Sequence, residues 1–144
     1  MKNIWLLIFS LWFTGCDGDP YSGFGSICTE GHPAVAHARS LSEEQLSFLY
    51  KEMFRLRKEN EGKSIEYGHF GQPIPNNLQF LKAVRIRPNE YKPNIMLAGC
   101  MDEYIYLKFT GQEEKTQNIT LTWAAGTNEN PYAVGKQVLW SAKK

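Results

Sequence analysis

The sequence predicts an α+β domain in which one long helix packs on a four- or five-stranded antiparallel meander. Two observations carry that prediction: an amphipathic run opening on a capping signature at Ser42, and a change to two-residue alternation beyond about position 80. With 144 residues, 42% of them hydrophobic, the chain is of one-domain size and too apolar to read as disordered.

The helix starts where the Ser42 hydroxyl can cap backbone amides while Gln45, three residues on, reaches back. Leu41 and Leu46 stand at the spacing of a hydrophobic staple, and Glu43 and Glu44 place negative charge at the positive end of the helix dipole. Leu46, Leu49, Tyr50, Met53 and Leu56 recur at steps of three and four, which makes one apolar, core-facing stripe. Arg55, Arg57 and Lys58 suit the closing turn, and Gly62 offers the stop.

Strand candidates follow at 80–87, 95–100, 103–110, 119–123 and 137–140. In the third, Ile105, Leu107 and Phe109 alternate with Tyr104, Tyr106 and Lys108, so one face is apolar and the other amphipathic. Ile119, Leu121 and Trp123 alternate with Thr120 and Thr122 in the same way. The short Met101-Asp102 link favours a hairpin over a parallel crossover.

The amino terminus departs from this pattern. After Met1 and Lys2, residues 4–13 carry no charge, and a run of that length is too short to span a bilayer, which takes about 20 apolar residues. Phe13-Thr14-Gly15-Cys16 resembles the lipobox of bacterial lipoproteins, with Phe13 standing where an aliphatic residue is usual. The resemblance covers the export segment alone. It implies that residues 1–15 are a signal peptide, that Cys16 receives diacylglycerol and becomes the new amino terminus, and that the domain faces the periplasm from a membrane. Asp17, directly after the acylated cysteine, resembles the signal that retains such proteins in the inner membrane. Residues 16–27, rich in glycine, then read as a lipidated tether, and residues 28–144 as the single domain. With Cys16 acylated, Cys28 and Cys100 remain as an even pair in an oxidising compartment, where one structural disulfide is expected to pin the arm before the helix to the sheet.

The sequence excludes several functions. Lys and Arg number 16 against 15 Asp and Glu, which is no footprint for nucleic acid. Gly62-Lys63-Ser64 lacks the glycine a phosphate loop needs five places earlier, where Arg57 stands. His32 and His37, near Cys28 and Glu30, are ligand types, but a five-residue step does not share a helical face and Pro33 disturbs the segment, so no metal or other cofactor is expected. His69 lies between Gly68 and Phe70 with no acid or nucleophile beside it. A Cys100 nucleophile would be consumed by the disulfide, the acidic pairs Glu43-Glu44, Asp102-Glu103 and Glu113-Glu114 read as solvated, and no serine elbow appears.

Arg85 and Arg87 point to one side of their strand if Val84 and Ile86 face the core, with Lys82 one residue out of register; together with Arg55, Arg57 and Lys58 they are candidates for a basic docking surface. The expected function is a non-catalytic, lipid-anchored protein that binds a protein or an envelope polymer, as an inhibitor, an immunity factor or an accessory subunit would. The alternative is an envelope enzyme or small-ligand binder whose site converges on His69, Asp102 or the arginines.

Overall fold

The computed structural model describes residues 28–100, 103–111 and 116–142. The signal segment 1–15, the tether 16–27 with Cys16 and Asp17, the Met101-Asp102 link and the Glu113-Glu114 pair lie outside the described residues.

Helix α1, Pro33–Arg39, begins on proline. Pro33 does not disturb the segment as the sequence suggested; at the first helical position its missing N–H costs no hydrogen bond and its φ is already helical. His32 caps the helix, its Nδ1 accepting the Ala34 N–H at 3.1 Å, and Ala34, Val35 and Ala38 are buried. Helix α2, Glu43–Glu59, opens with the capping box between Ser42 and Gln45 and buries Leu46, Leu49, Tyr50, Met53 and Leu56. It stops at Asn60, whose Nδ2 donates to the Leu56 carbonyl, and Gly62 follows at φ 76°, a left-handed conformation that suits a residue without Cβ. Among the described residues the α-helical layer is therefore two helices of 7 and 17 residues, not one long one.

Among the described residues six strands, not four or five, form one sheet in sequence order: β1 (Tyr67–Gly68), β2 (Arg85–Arg87), β3 (Asn94–Cys100), β4 (Glu103–Thr110), β5 (Asn118–Ala124) and β6 (Val134–Ser141). Every neighbouring pair is antiparallel. The strand expected over 80–87 is only its last three residues. Ahead of it lies a 3-10 helix, Asn76–Leu81, whose three-residue period puts Leu78 and Leu81 on one buried side.

The core lies between the helices and one face of this sheet. Across four strands Ile86, Ile95, Leu107 and Leu121 are register partners and fully buried. Tyr50 of α2 packs against Phe109 and Trp140 and donates its hydroxyl to the Thr110 carbonyl at 2.8 Å, tying the helix to β4 and β6. The Cys28–Cys100 disulfide joins the arm before α1 to the end of β3 with both residues buried, as the sequence led us to expect. Among the described residues no helix is long and apolar enough to cross a membrane.

Candidate functional site

Both helices pack on one face of the sheet, and the residues that alternate with the core strip line the other. Cross-strand register arranges them in two rows. One runs Arg85, Met96, Tyr106, Thr122, Lys136 from β2 to β6, and the next runs Arg87, Asn94, Lys108, Thr120, Val138. Neighbouring strands lie about 4.8 Å apart, so cations on β2, β4 and β6 recur every 9 to 10 Å or so across the face.

The side chains in these rows support one another. Met96 is buried although it belongs to this face, lying between Arg85 and Tyr106 in register. The Lys108 ammonium stands 5.7 Å from the Tyr106 ring centroid, a cation–π contact. Tyr104 and Tyr106 approach at 5.6 Å between centroids, and the Tyr104 ring lies over Gly99, 3.5 Å from where a Cβ would stand. Beside them Tyr104, Tyr106, Lys108, Tyr132 and Val134 line a shallow cavity of about 390 Å³.

Glu66 is the anion of this region. Its Oε1 accepts a hydrogen bond from Arg87 Nε at 3.2 Å and lies 3.1 Å from Arg85 Nε. The Arg85 Nε makes no hydrogen bond, so that second contact is Coulombic. Four cations against one shared carboxylate leave the two rows net positive.

The sequence placed Arg85 and Arg87 correctly on one side of a strand. It did not connect them to Lys108 and Lys136, because that link depends on the register of four strand pairs. Lys82 falls outside the rows: it closes the 3-10 helix at φ 52°, three residues before β2 begins. Arg55 and Arg57 do not join them either. Arg55 pairs with Glu52 and Glu59 along α2, and Arg57 donates to the Glu90 carbonyl. Lys58 lines a polar cavity with Lys63 and Asn89 near the end of that helix.

The histidines are dispersed. His37 Nε2 lies 3.0 Å from the Phe80 carbonyl, and His69 is exposed against the edge of Phe70. His32 has its ligand atom within 4.8 Å of the sulfurs of Cys28 and Cys100, and all three are buried. Those sulfurs are bonded to each other, however, and the Nδ1 lone pair of His32 already accepts the Ala34 N–H, which leaves the proton of a neutral ring on Nε2. As assembled, the cluster is a cystine beside a helix cap. Glu30, the carboxylate of the sequence's hypothetical ligand set, instead pairs with Arg39 at 2.7 Å. No family model, curated protein or solved structure matches the chain.

Proposed function

We propose that the chain is a lipid-anchored, periplasm-facing protein that holds a macromolecular partner on the open face of its sheet and performs no catalysis, in the role of an inhibitor, an immunity factor or an accessory subunit of an envelope complex. The observation that carries this reading is the pair of cross-strand rows bearing Arg85, Arg87, Lys108 and Lys136 on the face that the helices leave open. The chemistry it fits is an acidic surface. The scattered histidines support the non-catalytic part, and the Phe13-Thr14-Gly15-Cys16 motif supports the anchor, with Asp17 favouring the inner membrane.

Exposed charges act mainly on association rate and are screened within about 8 Å at physiological salt, so binding is expected to be steeply salt-dependent. The test places a photo-crosslinking amino acid at Thr120 of the full chain in cells. One discrete adduct is expected, lost in the Lys108→Glu, Lys136→Glu double variant and kept in Lys51→Glu on α2. These lysines are cleaner than Arg85 and Arg87, whose reversal would set two carboxylates against Glu66. An absent adduct, or one indifferent to Lys108 and Lys136, removes the open face from the mechanism. Hydrolysis of a cell-wall, lipid or peptide substrate by the purified chain overturns the non-catalytic reading. For the anchor, Cys16→Ser is expected to abolish fatty-acid labelling, and Asp17→Ser to shift the protein toward the outer membrane; persistent labelling, or unchanged fractionation, refutes the respective assignment.

A further inference from the structure

We propose that the end of the sheet formed by Tyr104, Tyr132 and Val134 rests in the headgroup region of the bilayer that holds the anchor, so that the domain stands on the membrane in one orientation. This rests on the reading of Cys16 as the lipidated residue.

The place where the chain enters the domain marks the end that a lipid on Cys16 draws toward the membrane. Twelve steps separate Cys16 from Cys28, a reach of at most about 43 Å. Cys28 is held at that entry twice: by its disulfide to the last residue of β3, and by its carbonyl, which accepts the Ala124 N–H at 2.8 Å. Ala124 ends β5 and is the register partner of Val134, the first residue of β6. The tether therefore meets the domain beside the β5–β6 loop and the start of β4.

That same end exposes aromatic and apolar side chains. Tyr132 is 89% exposed, Val134 56% and Tyr104 43%, and the three line one cavity together. The loop that presents Tyr132 is bonded into shape, with Ala125 N–H donating to the Ala133 carbonyl and Thr127 N–H to the Asn130 carbonyl. Tyrosine suits the membrane interface because its ring partitions among acyl chains while its hydroxyl stays hydrated. Three such residues bind a membrane weakly from solution, but a lipid anchor makes the contact intramolecular, and a weak patch then suffices to set orientation. Both signs of charge stand at this end, Glu103 and Glu129 against Lys108 and Lys136, so the surface it fits is a zwitterionic headgroup layer, and the contact is insensitive to salt.

Tyr91 provides the internal control. It is 91% exposed on the turn between β2 and β3, at the opposite end of the strands. The full acylated chain, as Tyr132→Trp and separately as Tyr91→Trp, is reconstituted into phosphatidylcholine vesicles with or without bromine on the acyl chains near the headgroup. Emission above that of the parent protein is compared. At least a twofold quenching of the residue-132 signal is expected, unchanged by 0.5 M salt or so, with little at residue 91. Adding Val134→Ser to Tyr132→Trp is expected to reduce the quenching. Equal quenching at both positions, or none at 132 in protein that floats with the vesicles, overturns the orientation and leaves the anchor standing. Failure of the parent chain to float overturns both.

Discussion

Glu52 is 8% exposed on α2, and Arg55, three residues on, donates to its carboxylate. That bond holds its pKa below the ordinary 4.5, against burial, which pushes it up; a hydrogen bond from Asn77 and the Arg55 charge add to the lowering. Because the folded-state pKa is the lower one, the interaction stabilises the fold fully above the unfolded value and is lost as pH falls through the folded one. Glu52→Gln should therefore cost about 1 kcal/mol at neutral pH, less than a fully buried charged bond because Arg55 is half exposed. In urea melts at pH 7, 5 and 3 the gap to the parent protein should close toward the acid end; a gap constant with pH would show that the charge is not what matters. Gly135 makes a steric point. A Cβ there would stand 2.3 Å from the Trp123 ring, which lies under the Arg39 guanidinium. Gly135→Ala is expected to cost about 1–3 kcal/mol by overpacking and to shift indole emission, whereas an unchanged melt would mean that the ring has room to move.

At the scale of elements, the disulfide closes a 72-residue separation, and in the chain-entropy model its reduction costs about 4 kcal/mol. Cys28 and Cys100 should resist alkylation until reduced, and the melting temperature should fall by many degrees with reduction; ready labelling in the unreduced protein would contradict the bridge. The elements the sequence revealed are those whose signals are local. Strand β4 was legible end to end because Ile105, Leu107 and Phe109 alternate without a break, and α2 was legible because Ser42 and Gln45 announce its start. Helix α1 was missed: seven residues rich in alanine show no apolar period, and Pro33 looks like a breaker until its place at the first helical position is known. The strand expected from Phe80 began too early because Phe80 and Leu81 are apolar residues that close a 3-10 helix, directly ahead of the strand formers Val84 and Ile86. Strand β1 is two residues long and is held by its pairing with β2 and by a bridge to Gln72, both invisible in its own two residues. The candidate site divides in the same way. Arg85 and Arg87 were visible as neighbours two apart, whereas Lys108 and Lys136 join them only through non-local register.

For the molecule as a whole, the disulfide also decides how a pull would travel. With the anchor and partner proposed above, a tug on the partner sets force between the chain before Cys28 and the open face. A pull on the chain before Cys28 reaches Cys100 through the disulfide and passes on toward β4. Residues 29–99, which carry both helices, β1, β2 and all of β3 but its last residue, lie in a closed loop beside that line of force. Pulling a single oxidised molecule by its tether and its carboxyl end should draw out only the chain beyond Cys100. Reduction should lengthen the final extension by about 240–260 Å, the contour of the released loop. Equal extensions in the two states would mean that the bridge is absent; a longer one after reduction would make the Cys28–Cys100 bond a mechanical clasp that shields the helical layer from a pull on the chain before Cys28.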